Sequence, residues 1–198
     1  MALNFQYNKT TIQELKKQLA IRQKALPILK NKETALRKEI KDRQKRLEKV
    51  QMEWKTLISH IQGQEGLWYE FPEILFLDKT QLTFEKVIGV KIPSLMDIKV
   101  NMTDISWWHF SAWIPSGVDL IKKGVRLTFT LDILEKQIEI LDEARKKTTQ
   151  KVNLYEKVQI PEMEDAILKI KRFLEDKENI AKAAQKIIKN RKERSEAI

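Results

Sequence analysis

Residues 9–61 read KTTIQELKKQLAIRQKALPILKNKETALRKEIKDRQKRLEKVQMEWKTLISHI, and apolar side chains recur along them in steps of three and four. This spacing is typical of a helix that buries one stripe against a partner helix in a coiled coil. Twelve of the fifteen stripe positions are apolar, whereas a chain with 42% hydrophobic residues would place about six there by chance. The stripe consists of Ile12, Leu15, Leu19, Arg22, Leu26, Leu29, Glu33, Leu36, Ile40, Arg43, Leu47, Val50, Trp54, Leu57 and Ile61. The sequence therefore predicts one long coiled-coil helix.

Pro27 falls inside this repeat. A proline removes one backbone hydrogen bond and clashes with the carbonyl four residues earlier, which kinks a helix. The repeat continues in phase on both sides of Pro27. The sequence therefore predicts a bend within one helix rather than two separate helices.

A second apolar stripe begins near Gly117 and extends to about residue 195. Its positions are Leu127, Leu131, Leu134, Ile138, Leu141, Arg145, Thr148, Val152, Tyr155, Met163, Ile167, Ile170, Leu174, Lys177, Ala181, Ala184 and Ile188. At Tyr155, Gln159 and Met163 the steps become four and four, which is a stutter that locally unwinds a supercoil. Because Pro161 lies inside this stutter, we expect a hinge in the second helix.

The two helices are expected to pack against each other, because neither can bury its stripe alone. A parallel pair would require the middle segment to run back along the whole coil, so an antiparallel pair is favoured. If Ile12 lies opposite about residue 190, Arg22 faces the Glu175–Glu178 region and the two ends of the chain meet at one tip. This tip carries nine basic and two acidic side chains. The basic ones are Lys9, Lys16, Lys17, Lys182, Lys186, Lys189, Arg191, Lys192 and Arg194.

The middle of the chain has a different composition from the two flanks. Residues 82–103 are rich in β-branched and aromatic residues and predict a short β-hairpin. The aromatic residues Trp107, Trp108, Phe110 and Trp113 follow. They predict either the core of a small head or a docking surface for another protein, since aromatic side chains are common interface anchors.

These patterns predict a mainly α fold. It consists of a long antiparallel two-helix coiled coil with a small central head that contains a short β-hairpin. The expected segments are an N-terminal coiled-coil helix at residues 1–61, the head at residues 62–116 and a C-terminal coiled-coil helix at residues 117–198.

The composition excludes several classes of protein. Gly and Pro number five each among 198 residues, too few for the many turns of a sandwich, barrel or doubly wound sheet. Cysteine is absent, which excludes disulfide scaffolds and thiol nucleophiles and suits a reducing compartment. The sequence contains no signal-peptide core and no run of 18 apolar residues, so we expect a cytoplasmic protein without direct membrane insertion.

No set of residues in the sequence predicts catalysis. His60 and His109 lie in different segments, and neither has a second histidine or a carboxylate three or four residues later. The carboxylates recur at helical spacing to lysines, which is typical of solvated helix faces. We therefore expect no catalytic residues, no metal site and no cofactor.

The first helix raises nucleic acid as a possible partner, because residues 9–61 hold fifteen basic and six acidic side chains. These basic residues are interleaved with Glu and spread around the helix, and no recognised nucleic-acid motif occurs. We expect protein partners and no nucleic acid. The alternative is a cytoplasmic coiled-coil scaffold or a nucleic-acid-binding protein.

Three stretches, in order along the chain, resemble the D subunit of the V-type and A-type rotary ATPases. LKNKETALRKEI at residues 29–40 is similar to the N-terminal helix of that family, and VIGVKIP at residues 87–93 to its Gly-Val-x-x-Pro segment. VNLYEKVQIPEMEDAILKI at residues 152–170 is similar to its C-terminal pattern. The positions that carry the resemblance are Leu29, Lys30, Lys32, Leu36, Gly89, Val90, Pro93, Val152, Asn153, Glu156, Val158, Ile160 and Pro161.

This resemblance implies a non-catalytic central rotor stalk that transmits torque between an ATP-hydrolysing or ATP-synthesising hexamer and a membrane ring that moves ions. The basic tip would sit inside the hexamer of catalytic A subunits and nucleotide-binding B subunits. The base and head would hold the small F subunit of the rotor and dock on the funnel-shaped C (or d) subunit that links to the membrane ring. The complex would be peripheral on the cytoplasmic side of its membrane.

Overall fold

The computed structural model describes residues 6–103, 108 and 110–196, with the side chains of Lys79 and of residues 192–196 outside that description. Three helical elements dominate: α1 (Lys9–Ile61), α3 (Ile114–Leu154) and α4 (Ile160–Glu196). One π-helical turn, Tyr155–Gln159, joins α3 to α4. A short helix, α2, spans Glu65–Tyr69, and strands β1 (Leu75–Val87) and β2 (Val90–Met102) form an antiparallel hairpin.

The chain divides into two compact units. The first consists of Met1–Asn31 and Thr148–Ile198, and the second of Lys32–Lys147. Helix α1 contributes to both units, because it is one helix that contains Pro27 in its interior. In each unit a segment of α1 packs antiparallel against the C-terminal helical segment of that unit. The predicted fold class, an antiparallel two-helix coiled coil with a central hairpin, is therefore confirmed.

The predicted stripe of α1 is confirmed at every position. All fifteen stripe residues are buried or half-buried, including the polar residues Arg22, Glu33 and Arg43. The apolar residues Ile21 and Ile28 lie off the stripe and are 66% and 68% exposed. Burial thus follows the heptad position rather than the hydrophobicity of each residue, because only one face of the helix meets its partner.

The core of the first unit lies between α1 and α4. Leu15 of α1 packs with Met163, Ala166 and Ile170 of α4, and Ile170 is completely buried. Removing such a side chain from water contributes about 1.5–3 kcal/mol. This seam accounts for the pairing of two helices whose outer surfaces are highly charged.

The predicted stutter is a π-helical turn at Tyr155–Gln159. The N–H of Ile160 donates to the carbonyl five residues earlier, so this turn holds one residue more than an α-helical turn. Pro161 follows directly, and it has no N–H with which to continue the α-helical bonding pattern. The extra residue takes up the phase change of the stripe, since Val152 and Met163 are buried on the two sides of it.

The first strand of the hairpin begins at Leu75, so the predicted start at residue 82 was wrong. Leu75 pairs with Met102, and the ladder has irregularities just after Leu77 and just after Gln81. An irregularity of this kind interrupts the alternation of inward and outward side chains. The first half of β1 therefore lacks the period-two pattern by which a strand is recognised in a sequence.

The predicted register of the two helices was also wrong. Arg22 Nε donates to Gln159 Oε1 at 2.7 Å, more than two heptads before the predicted Glu175–Glu178 region. Lys9, at the start of α1, lines a groove together with Ala181 rather than with residue 190. All residues from 175 to 191 are exposed, so the last stripe positions are not buried as predicted. These positions are Lys177, Ala181, Ala184 and Ile188.

The aromatic residues after the hairpin have different environments. Phe110 and Trp113 are half-buried against the apolar core at the start of α3, as the prediction of a small core requires. Trp108 is 95% exposed, so it does not belong to this core. Trp107 and His109 lie outside the described residues.

Ile88 and Gly89 form the two-residue turn of the hairpin, with φ of 50° and 79°. Positive φ at both central positions is the mark of a type I′ turn, which favours Asn-Gly and Asp-Gly. A β-branched residue is strained in this conformation, because its Cβ approaches the following carbonyl at a cost of about 1–2 kcal/mol. The turn therefore holds one residue, Ile88, that its backbone geometry disfavours.

We expect the substitution Ile88→Asn to raise the free energy of unfolding by about 1 kcal/mol, because Asn adopts positive φ with less strain. Equilibrium urea unfolding followed by circular dichroism measures the change. Ile88→Val is the matched control, since valine keeps the β-branch and should not stabilise the chain. A loss of stability in Ile88→Asn would mean that contacts of the isoleucine side chain outweigh its backbone strain.

Candidate functional site

The junction between the two helices and the hairpin lies in the second unit and has an apolar centre. Leu36 of α1, Leu141 of α3 and Ile92 of β2 are each completely buried there. Val87 and Val90, which flank the hairpin turn, pack against the same cluster. The turn end of the hairpin is thereby held against both helices, because its inward side chains are part of their seam.

A chain of polar contacts crosses the junction beside this apolar centre. Arg43 is 7% exposed and lies on the α1 stripe, and its Nη1 donates to Gln137 Oε1 of α3. Gln137 Nε2 in turn donates to the backbone carbonyl of Pro93 in β2. Arg43 also forms an ion pair with Glu39, with 2.9 Å between Nη2 and Oε1. One buried guanidinium and one buried amide thus connect α1, α3 and the hairpin.

Polar contacts also join the two helices of the first unit. Lys30 Nζ lies 2.6 Å from Glu156 Oε1, and both side chains are nearly half exposed. Arg22 donates to Gln159 at 2.7 Å, and its guanidinium carbon lies 5.9 Å from the centre of the Tyr155 ring. A cation at this distance from an aromatic face is attracted by the ring quadrupole. These contacts define the register of the first unit.

The three stretches that carry the family resemblance contact each other in pairs. Lys30 of the first stretch pairs with Glu156 of the third. Val90 of the second stretch packs against the buried cluster that contains Leu36 of the first. Gly89 lies close to Lys32, since a Cβ built on it would be 3.8 Å from the lysine Nζ, and its positive φ disfavours any other residue.

The remaining residues predicted from the resemblance have less specific surroundings. Val152 is buried, and Leu29, Pro93 and Ile160 are half-buried. Asn153, Val158 and Pro161 are exposed on the helical surface around the π turn.

The predicted basic tip is divided between α1 and α4. Lys9 and Lys16 line a groove with Lys171 and Lys177 of α4, and Lys17 is exposed nearby. The basic residues farther along α4 continue beyond this groove and are exposed: Lys182, Lys186, Lys189 and Arg191. The side chains of Lys192 and Arg194 lie outside the described residues. The structure thus gives the basic end of α4 an exposed surface.

The sequence did not identify Gln137 and Gln159 as hydrogen-bond partners of arginines on the α1 stripe. Each accepts a hydrogen bond from an arginine on the α1 stripe, Gln137 from Arg43 and Gln159 from Arg22. A polar residue on an apolar stripe needs a partner on the facing helix, since a buried unpaired group is costly. That requirement was the available signal, but it does not say which residue of the facing helix is the partner.

Asp142 is a carboxylate of α3 whose pKa is lowered from its ordinary value. The main cause is the hydrogen bond from Lys146, followed by that from Arg145. Since the folded-state pKa is the lower one, the stabilisation is present above the unfolded-state pKa and is lost as the pH falls through the folded-state pKa. The side chain is 30% exposed, so this contribution is small.

The site has the features of a structural junction, since one buried arginine and one buried glutamine connect two helices and the hairpin. Among the described residues no group of three His, Cys, Asp or Glu side chains could hold a metal ion. An apolar depression of about 430 Å³ in the second unit is lined by Trp54, Leu57, Trp68 and Phe129 among others. No helix in the part of the chain that the structure describes is both long and apolar enough to cross a membrane.

The fold and the junction define a coiled-coil protein in which a β-hairpin is anchored on a pair of antiparallel helices. The family of ATP synthase D subunits matches residues 11–190, and the chain belongs to this family. The V-type ATP synthase D subunit of Borreliella burgdorferi is 30% identical over 191 residues, which cover 92% of this chain and 93% of the relative.

Two chlamydial relatives differ in the length of the match. The V-type ATP synthase D subunit of Chlamydia pneumoniae is 24% identical over 213 residues and 99% of both chains. That of Chlamydia felis is 30% identical over 124 residues, which cover 61% of this chain and 60% of the relative. The similarity is therefore modest in identity and extends over nearly the whole chain in the longer matches.

Proposed function

We propose that this chain is the central rotor stalk of a V/A-type rotary ATPase or ATP synthase. In this role it is the axle that transmits torque between the ATP-hydrolysing or ATP-synthesising hexamer and the membrane ring that translocates ions. The observation that carries the proposal is the match to the family of ATP synthase D subunits over residues 11–190. The buried or half-buried stripe along the whole of α1 supports it, because an axle needs one helix that runs uninterrupted along its length.

The mechanical part of the proposal rests on how the helices are held together. A seam of apolar side chains resists bending, because bending would open gaps in a close-packed core. Polar contacts resist sliding, because a shift by one helical turn would separate their partners. Such contacts occur in both units, between Arg22 and Gln159 and between Arg43 and Gln137. Both kinds of contact suit a part that transmits torque.

The proposed partners are the other subunits of such a complex. The catalytic A subunits and nucleotide-binding B subunits would surround the basic tip, while the head and base would bind the small F subunit of the rotor and the funnel-shaped C (or d) subunit. The chain would itself be non-catalytic and would use no cofactor. It would work on the cytoplasmic side, peripheral to the membrane and without insertion into it, and it would bind no nucleic acid.

The surface chemistry of the tip supports a contact that is made and released repeatedly. The exposed residues Lys182, Lys186, Lys189 and Arg191 present positive charge without an apolar core around them. Exposed ion pairs contribute about 0–1 kcal/mol each and are screened by salt. A rotor that passes successive stator subunits requires contacts of this strength.

We further propose three functional segments, residues 1–61, 62–116 and 117–198, with the helices as the axle and the middle as the docking head. The family-motif residues would hold these segments in one geometry. Lys30 and Glu156, which form an ion pair, would do so between the helices, and Leu36 and Val90, which share one apolar cluster, between a helix and the hairpin.

The proposal is tested by isolating the affinity-tagged chain from the native membranes of its host. We expect it to co-purify with ATP-hydrolysing subunits of a rotary ATPase and with ATPase activity. We expect the Leu15→Asp variant not to co-purify with these subunits. Leu15 is 7% exposed in the seam between α1 and α4, and an unpaired carboxylate buried there would separate the two helices. Ile21→Asp is the matched control. Ile21 is 66% exposed on the same helix, so its substitution should leave the recovery of the ATPase subunits unchanged.

The control outcomes separate the alternatives. The rotor proposal would be contradicted if the chain co-purified with nucleic acid that stays bound at high salt. It would also be contradicted if unrelated proteins were recovered in place of ATPase subunits. Either result would favour a nucleic-acid-binding protein or a coiled-coil scaffold instead. Equal recovery of the complex with both aspartate variants would show that the seam of the first unit is not needed for assembly.

A further inference from the structure

The outer face of the hairpin, the one turned away from the helices, is unusually apolar. We define it by three directly paired positions of β1 and β2: Leu82 with Leu95, Phe84 with Pro93, and Lys86 with Lys91. Val87, Val90 and Ile92 on the opposite face pack on the helices, and side chains alternate between the faces of a strand. Phe84 is 74% exposed and Leu82 is 53% exposed. Contiguous exposed apolar side chains of this kind mark interaction sites.

The third pair of the outer face places two like charges directly opposite each other. Lys86 and Lys91 are both exposed, and neither forms an ion pair with the described residues. Like charges at directly opposed positions of an antiparallel pair repel each other. A partner that supplies a carboxylate at this point would remove the repulsion, so the face has a charge preference as well as an apolar surface.

The outer face is also held rigidly from behind. Ile92, next to Pro93 in β2, is completely buried in the junction, and the carbonyl of Pro93 accepts a hydrogen bond from Gln137. Side chains on a preformed support lose less entropy when they bind. Phe84, paired with Pro93, is therefore placed as an anchor, and exposed aromatic anchors tend to dominate interface energies.

We propose that the outer face of the hairpin binds another subunit of the ATPase complex, at an apolar groove bordered by carboxylates. Phe84 and Leu82 enter the groove, and Lys86 and Lys91 pair with the carboxylates. The positive charge of the face and its apolar centre indicate the chemistry of the partner surface. That the partner belongs to the ATPase complex rests on the function proposed above. A stable interface buries about 800 Å² on each partner, so this face is one anchor within a larger contact.

The test measures how tightly the chain binds to the purified complex from which it has been removed. Phe84→Ala is expected to weaken binding at least tenfold. The double variant Lys86→Glu/Lys91→Glu is expected to weaken it about tenfold at low salt and by less at high salt, because salt screens exposed charges. The matched control is Lys45→Glu/Lys49→Glu, which reverses two exposed lysines on α1 and should change binding less than twofold.

A photoreactive phenylalanine analogue at position 84 identifies what the face contacts in the assembled complex. We expect cross-links to one other subunit, at an apolar segment that contains Asp or Glu. Circular dichroism and thermal unfolding of each variant show that the chain remains folded. A variant at Phe84 that bound normally and cross-linked only to its own chain would overturn the inference while leaving the rotor function intact.

The other outcomes also decide the matter. If Lys86→Glu/Lys91→Glu and Lys45→Glu/Lys49→Glu weakened binding to the complex equally, the inference would be overturned, because binding would then depend on net charge alone. The inference would also be overturned if Phe84→Ala weakened only the self-association of the chain, because the occupant of the face would then be a second copy. It would be overturned as well if Phe84→Ala weakened only binding to vesicles of anionic lipid, because the occupant would then be a membrane. If the unaltered chain does not bind the depleted complex, both this inference and the proposed function fail.

Discussion

Replacing Arg43 by methionine is expected to lower the free energy of unfolding by about 2–3 kcal/mol, since it leaves buried partners without hydrogen bonds. Arg43 is 7% exposed and donates to Gln137, which is 4% exposed. Methionine retains much of the arginine stem but supplies no donor, so the Gln137 oxygen would lose its partner inside the junction. Glu39 would lose its ion pair as well.

The same helix contains a control for this prediction. Arg37 pairs with Glu33 at the spacing that joins Arg43 to Glu39, but the Arg37 side chain is 67% exposed. We expect Arg37→Met to cost about 0–0.5 kcal/mol, because the exposed Arg37 guanidinium is solvated by water whether or not it pairs with Glu33. The comparison holds the residue type, the helix and the spacing of the ion pair constant, whereas Arg43 is buried and also donates to Gln137 and Arg37 is exposed.

Equilibrium urea unfolding of both variants measures the difference. The double variant Arg43→Met/Gln137→Leu should not recover the lost stability, because it also removes the hydrogen bond from Gln137 to the Pro93 carbonyl. Equal costs for Arg43→Met and Arg37→Met would show that the buried contact between Arg43 and Gln137 contributes nothing to the stability of the junction.

Removing residues 182–198 is expected to abolish most of the ATP-driven ion transport of a reconstituted complex while leaving the stability of the chain nearly unchanged. Every described side chain from residue 175 to residue 191 is exposed, so the truncation deletes no buried side chain among those that the structure describes. It does remove the six basic residues of the α4 tip, which we propose are steered toward acidic surface inside the hexamer. Binding of the small rotor subunit should persist, because we assign that contact to the head and base.

The experiment compares the truncated chain with two full-length controls in the same complex. Replacing Lys182, Lys186, Lys189 and Arg191 by Gln keeps the helix and removes most of the charge, and it should reproduce part of the loss. Replacing the exposed residues Lys38, Lys41, Lys45 and Lys49 of α1 by Gln removes equal charge elsewhere and should preserve transport. Loss of small-subunit binding with transport preserved would mean that the two ends of the shaft have been assigned the wrong way round.

The sequence by itself determined the two long helical segments and the face that α1 buries. All fifteen stripe positions of α1 were predicted, as was the phase change that the π turn at Tyr155–Gln159 takes up. Local spacing carries this information, since burial of one helical face requires apolar residues at a fixed period. The three stretches that resemble the family could likewise be recognised in the sequence alone. Lys30 and Glu156, which come from two of these stretches, are in contact in the structure.

Only the tertiary structure decided how the elements meet. A heptad repeat matches itself at every shift of seven residues, so the apolar pattern did not distinguish the observed Arg22–Gln159 contact from a pairing with Glu175. The apolar pattern likewise did not show that the end of α4 is exposed. It also did not show the role of Gln137, because the hydrogen-bond partners of Gln137 come from α1 and β2. The start of β1 was missed because the strand is defined by its pairing with β2, and bulges erase the alternation that would reveal it. Periodicity is a local property, whereas register and pairing depend on residues distant in the chain.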